Sequence, residues 1–292
     1  MEKIRRPALR YCGGKWRIAP WIISHFPRHD NFVTPFAGGL SVLLRKPMVK
    51  LETANDLDGR VMNFFTVLRE RPGNLITAIR GTPWAESEYK NTRVIADLPL
   101  EDARRFFCHC WMSIHGGPTT NSGFRLQRSL VSRGRVPPDD VASLDHLWVV
   151  ADRLRHVQFL NRDARKVIEF FVDEESCLIY CDPPYLKEVR SGGARYVHDS
   201  TVQLHIDLAA LVRRCKGFVI VSGYECTRYE ELYGDWHRVE RETQVQSGAK
   251  RIESLWLSPR TVEELERERL PLLAGMMGGS DNGTTRNVKR DA

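Results

Sequence analysis

Asp182-Pro183-Pro184-Tyr185 follows the apolar run Leu178-Ile179-Tyr180-Cys181, and its residue types suit one kind of chemistry. Two prolines fix φ and remove two N–H donors, so the chain beyond the run neither turns into a helix nor rejoins a ladder. The stiff corner presents a carboxylate, free backbone carbonyls and an aromatic ring. A planar base with an exocyclic amino group needs that set, two acceptors for the amine and a flat face for the ring. Asp182, Pro183, Pro184 and Tyr185 are the candidate catalytic residues.

A second group of residues suits a nucleotide-like ligand. Thr34-Pro35-Phe36-Ala37-Gly38-Gly39 sits between a strand-like and a helix-like segment. Glycines there let the backbone approach a ligand at the carboxyl end of a parallel strand. Asp56 ends the next strand-like run, about twenty residues on, where a carboxylate can accept both ribose hydroxyls of an adenosine. The alternative for Asp56 is a helix cap. Tyr11-Cys12-Gly13-Gly14-Lys15 precedes a helix-like stretch, and an aromatic, two glycines and a lysine at a helix start can hold a carboxylate. Asp163 can accept a hydrogen bond from an adenine amine or cap the helix Ala164–Phe171.

The elements that must position these residues alternate. Lys15–Phe26 reads as a helix, Asn31–Phe36 as a strand entering a glycine turn, Ser41–Arg45 as a helix start and Glu52–Asp56 as a second strand. From Asp58 to about His156 apolar residues recur at helical spacing, as in Val61, Phe64, Phe65 and Leu68. A polar loop, His115–Pro138, interrupts that block. Strands are expected at Val157–Leu160, Cys177–Cys181, Gly217–Ser222, Trp236–Val245 and Ser254–Leu257, with a helix at Thr201–Cys215 and an antiparallel hairpin formed by the last two strands. Strand–helix alternation implies a mainly parallel sheet with helices on both faces. The expected organisation is a catalytic α/β domain, 1–58 and 157–260, with an inserted helical subdomain, 59–156, and a charged helix and polar tail, 261–292.

The chain has 292 residues, 42% of them hydrophobic and 28% charged, with net charge +7. It can bury a full core, and no apolar run approaches the roughly 20 residues of a membrane span. Its seven cysteines are scattered and no signal peptide is evident, so reduced thiols and a cytoplasmic location are expected. The positive balance suits a polyanion. Arg125, Arg128, Arg133 and Arg135, interleaved with Ser, Gly and Phe124, and Lys187 and Arg190 beyond the proline corner are the candidate DNA-binding residues.

Taken together, Tyr11–Lys15, Pro35–Gly39, Asn55-Asp56, Asp163, Asp182–Tyr185, Ser222-Gly223-Tyr224 and Lys250-Arg251…Leu255-Trp256 resemble, in identity and order, the Dam-type DNA adenine N6-methyltransferases, phage-borne members included. The resemblance implies a Rossmann-like class I fold with an inserted target-recognition subdomain. It also implies S-adenosylmethionine as cofactor, held by Tyr11, Gly13, Gly14, Lys15, Pro35, Phe36, Gly38, Gly39, Asp56, Asp163 and Asp182. The implied reaction is methylation of a flipped-out adenine in double-stranded DNA. Asp182 and the Pro183 carbonyl would accept the amino hydrogens and Tyr185 would stack on the base. No metal is implied, because a sulfonium is itself the electrophile. A cognate restriction endonuclease is a further implied partner. Family members often carry an acidic residue and a glycine where this chain has Thr34 and Leu40. Cytosine-N4 methylation, RNA methylation and a non-catalytic DNA-binding protein on the same fold are the alternatives; Asp before the prolines, rather than Ser or Asn, favours adenine in DNA. Cys108-His109-Cys110 with His115 matches no usual zinc spacing and reads as helix core, and His198-Asp199-Ser200 is too contiguous for a hydrolase triad.

Overall fold

The computed structural model describes residues 3–117, 122–127, 137–186, 201–244 and 250–277. Arg128, Arg133, Arg135, Lys187, Arg190 and the His198–Ser200 triplet lie outside the described residues.

Seven strands form one sheet: β1 (Asn31–Thr34), β2 (Leu51–Asn55), β3 (Val157–Leu160), β4 (Cys177–Cys181), β5 (Phe218–Tyr224), β6 (His237–Gln244) and β7 (Lys250–Leu257). Their order is β3-β2-β1-β4-β5-β7-β6. The first five strands are mutually parallel, while β7 runs antiparallel to both β5 and β6. The mixed, mainly parallel α/β sheet expected above is present.

Alternate residues of each central strand enter opposite layers, as the two-residue period of a strand requires. Phe32, Leu178, Tyr180, Ile220, Leu255 and Leu257 join one buried cluster. Val33, Ile179, Cys181, Val219, Val221 and Trp256 join the other. Strands apolar on both faces are what a sheet covered on both sides needs. The second layer is built by α9 (Ala164–Phe170), α10 (Val202–Val212) and α11 (Thr227–Tyr233).

Beneath the first layer lie α1 (Ala19–Ile23), α2 (Ser41–Arg45) and the long β2-to-β3 excursion. The excursion comprises α3 (Gly59–Glu70), α4 (Pro72–Arg80), α5 (Glu86–Asn91), α6 (Pro99–Met112), α7 (Asp139–Ala142) and α8 (His146–Arg153). Its core is continuous with that of the sheet: Phe64 packs on Phe107 at 6.0 Å while its neighbour Phe65 meets Phe159 of β3 at 6.5 Å. Cys108, His109 and Cys110 are buried on α6, where His109 stacks on Tyr89 at 5.2 Å.

Three local differences from the sequence reading bear on function. The first helix covers only Ala19–Ile23, because Pro20 suits a first turn and cannot sit deeper. Residues 16–18 therefore remain in turns, and Lys15 stands ahead of the helix. Strand β7 begins at Lys250, four residues before the expected start, which places Glu253 inside the sheet opposite Tyr224. Finally, α12 (Pro259–Met277) is longer than the short charged helix expected there.

Candidate active site

Strand order creates the site. β1 leads to β2 on one side and β4 leads to β5 on the other, so the sheet reverses direction of winding between β1 and β4. Ligands of open α/β sheets bind outside the carboxyl ends of strands at such a switch point. Pairing of Asn31 with Cys177 and Val33 with Ile179 brings the glycine loop and the proline corner side by side, despite nearly 150 intervening residues.

A cavity of about 170 Å³ opens there, and it is lined by every candidate cofactor residue: Tyr11, Gly13, Gly14, Lys15, Pro35, Phe36, Gly38, Gly39, Asp56, Asp163 and Asp182. Pro184 also lines it, whereas Pro183 and Tyr185 are not among its lining residues. Tyr180, Ala164, Leu57 and Leu204 line it too, and sequence reasoning did not single them out.

Backbone chemistry shapes the glycine loop. Gly38 has φ +45, and a Cβ there would come within 3.2 Å of the Tyr11 ring. The Gly38 N–H donates to Asp56 Oδ2 at 2.8 Å, and the Asp58 N–H donates to Asp56 Oδ1 at 2.9 Å. Each Asp56 oxygen thus accepts a backbone donor, and the carboxylate lines the cavity. The helix-cap role falls instead to Asp58, which accepts from the Arg60 N–H. Leu40 adopts φ 54, a left-handed conformation that glycine occupies without strain. Its side chain is 2% exposed, so it fills the core beneath the loop. Asn55 ties three strand ends together: its amide donates to the Pro35 and Arg162 carbonyls, and its oxygen accepts the Arg162 N–H. Asp163 caps α9 and is paired with Arg165 at 2.6 Å, which holds its carboxyl below the usual range.

At the proline corner a polar network surrounds Asp182. Its Oδ1 receives the Lys15 ammonium at 3.0 Å and the Ser222 hydroxyl at 2.9 Å, and Tyr180 donates to Ser222 from behind. Oδ2 makes no hydrogen bond among the described residues. The Lys15 ammonium also reaches the Gly13 carbonyl at 3.1 Å and Glu253 Oε1 at 3.5 Å. With Asp182, Glu253 and Gly13 all accepting from it, Lys15 is suited to orienting Asp182 more than to capturing an anion. The Tyr185 hydroxyl donates to the same Glu253 oxygen. Burial, with the Asp182 and Glu253 carboxylates, pushes the Tyr185 phenol well above its usual range, so it stays protonated.

The Tyr185 ring is 4% exposed, with the Lys15 ammonium 4.6 Å from its centre and Tyr224 edge-on at 4.6 Å. Stacking of a base on this ring requires Lys15 or Tyr224 to yield a face. From α10, His205 Nε2 lies 3.2 Å from the Pro184 carbonyl, and Nδ1 lies 3.3 Å from the Tyr229 hydroxyl. A carbonyl only accepts, so Nε2 carries the proton and steadies the corner. His205 and Glu253 were missed in the sequence. The signal for Glu253 was weak, a carboxylate between Ile252 and Ser254 just ahead of the apolar run Leu255-Trp256-Leu257; His205 carried no comparable signal.

Arg125, the described member of the basic stretch, donates to the Trp111 carbonyl and pairs with Asp140 at 2.5 Å. Its guanidinium braces the helical block. No helix among the described residues is long and apolar enough to cross a membrane.

The reversed final strand of this sheet, its switch-point crevice and the Asp-Pro-Pro-Tyr corner beside it define a Rossmann-like methyltransferase. The model of the D12 class N6 adenine-specific DNA methyltransferases matches residues 11–101 and 138–247. The chain belongs to this family and is an adenine-specific DNA methyltransferase. It is similar to the DNA adenine methylases of two strains of Vibrio cholerae serotype O1, with 23% identity over 79% of this chain and 86% of each relative. It is also similar to the DNA adenine methylase of Haemophilus influenzae, with 24% identity over 62% of this chain and 64% of the relative.

Proposed function

We propose that the chain transfers a methyl group from S-adenosylmethionine to the N6 amino group of an adenine rotated out of a DNA duplex. The observation that carries this reading is Asp182, whose Oδ1 is held by Lys15 and Ser222 while Oδ2 has no donor among the described residues, beside the glycine-loop cavity. Asp182 and the Pro183 carbonyl accept the two amino hydrogens, which localises the nitrogen lone pair and aims it. Tyr185 provides the flat face. Positioning of the reacting atoms supplies most of the acceleration.

The cavity residues fit the cofactor. The glycine loop leaves room where a Cβ would crowd Tyr11, the Asp56 carboxylate lines the cavity as an acceptor of the kind ribose hydroxyls need, and the acidic Asp182 suits an α-amino group. When bound, S-adenosylmethionine supplies an electrophilic methyl group on a sulfonium. Flipping costs a few kcal/mol, which contacts to the duplex must offset. We assign target recognition to the 59–156 block and phosphate contacts to Arg128, Arg133, Arg135, Lys187 and Arg190. The family match skips residues 102–137, which include the basic stretch, and a segment that reads a target sequence is free to differ there.

The test is incubation with radiolabelled S-adenosylmethionine and unmethylated duplex DNA of mixed sequence, followed by digestion to nucleosides. Label is expected in N6-methyldeoxyadenosine. Label in N4-methyldeoxycytidine, or in no nucleoside, overturns the proposal.

A further inference from the structure

We propose that Glu253 is a positioning residue for methyl transfer: its carboxylate holds the Lys15 ammonium and the Tyr185 hydroxyl, and so keeps Asp182 Oδ2 open to the substrate amine. The inference rests on the function proposed above and adds a residue from β7, the antiparallel neighbour of β5.

Glu253 is 3% exposed, and among the described residues its Oε1 meets only members of the proline-corner network, Lys15 and Tyr185. Consider the corner without it. The ammonium would be left with Asp182 and the Gly13 carbonyl, and could bridge both carboxylate oxygens. A carboxylate with both oxygens on a cation is a poorer acceptor for a neutral amine. Glu253 divides the cation between two carboxylates and confines it to Oδ1. It also ties down the phenol at the end of the corner, which sets the plane of the ring.

The placement is costly, which points the same way. A buried carboxylate loses its hydration, and one lysine shared with Asp182 compensates it incompletely. Burial and the Asp182 charge raise the Glu253 carboxyl above its usual range despite the pull of Lys15. A costly buried carboxylate whose partners among the described residues all belong to the site is explained by what it does there.

Glu253→Gln tests this, because it keeps the shape and an acceptor for Tyr185 but removes the charge. Three quantities are compared with wild type: the urea midpoint, the dissociation constants for S-adenosylmethionine and duplex DNA, and the single-turnover rate of label transfer. The expected result is an unchanged or raised midpoint, dissociation constants within about threefold, and a transfer rate about ten- to a hundredfold lower, as for loss of a charged hydrogen bond. In a Lys15→Met background the same substitution should change the rate little, since both act through one contact. Unchanged transfer per folded molecule, whether or not the midpoint falls, overturns the proposal, as do equal losses in both backgrounds. Failure of the underlying function would look different: wild type itself would label no adenine.

Discussion

Two buried glutamates on one sheet carry opposite electrostatics. Glu52 of β2 is completely buried, with Lys46 at 2.7 Å and Arg153 at 2.5 Å, so both of its oxygens are filled. Burial pushes its carboxyl up, but Arg153 and Lys46 outweigh that and hold it below the usual range. Glu253 of β7 shares one lysine with Asp182, and its carboxyl is raised. Cations exceed carboxylates in the first cluster, and nothing is left over for a ligand. Carboxylates exceed cations in the second, which faces a cavity and keeps acceptor capacity in hand. A closed cluster fastens α8 to the sheet; an open one, under the proposed function, serves chemistry.

The comparison can be broken at several points. Glu52→Ala strands two buried cations and should lower unfolding free energy by about 3–5 kcal/mol, read from urea titration, with transfer per folded molecule unchanged. An equal loss of transfer would erase the distinction between the clusters. Asp182→Ala should lower transfer by roughly 10²–10³-fold, because it removes the amine's acceptor. Its melting temperature should stay within a few degrees, since Lys15 retains Glu253 and Gly13; global unfolding would count against its assigned role.

The helical block offers a third buried group without any carboxylate partner. Burial, aided by Arg60 and Arg93, lowers His109 to about 4. Thr92 spends its hydroxyl proton on the Tyr89 carbonyl, so it accepts from His109 Nδ1–H, and the ring is neutral. Unfolding releases a histidine that titrates near its ordinary value of about 6.5. Below that pH the unfolded chain binds the extra proton, so stability present above pH 6.5 should drain away as pH falls toward 4. The expected size is on the order of 2–3 kcal/mol. A His109→Gln variant should show a flatter midpoint-against-pH curve over that window; parallel curves would show that His109 is not responsible.

Much of the site was legible because its signals are local. The double proline stiffens its own corner whatever surrounds it, and the glycines at 38 and 39 announce a turn with close approach. Strand–helix alternation implied a parallel sheet, whose crevice is bound to lie at strand ends. Asp56 and Asp163 could each have been caps or ligand residues; the structure makes Asp163 a cap that also lines the cavity, and passes the cap at α3 from Asp56 to Asp58. Arg125 reads as part of a basic surface, yet its guanidinium is taken by Asp140, because charge in sequence says nothing of which carboxylate folds against it.

Sequence alone determined the stiff acceptor corner, the turn chemistry of the glycine loop and the alternation that buries both faces of the sheet, since each depends on residues adjacent in the chain. Tertiary structure decided that Lys15, Asp182, Tyr185 and Glu253 converge. Those residues come from a turn near the amino terminus, the end of the fourth strand and the last strand. Their meeting depends on strand order and direction, to which hydrophobic periodicity is blind.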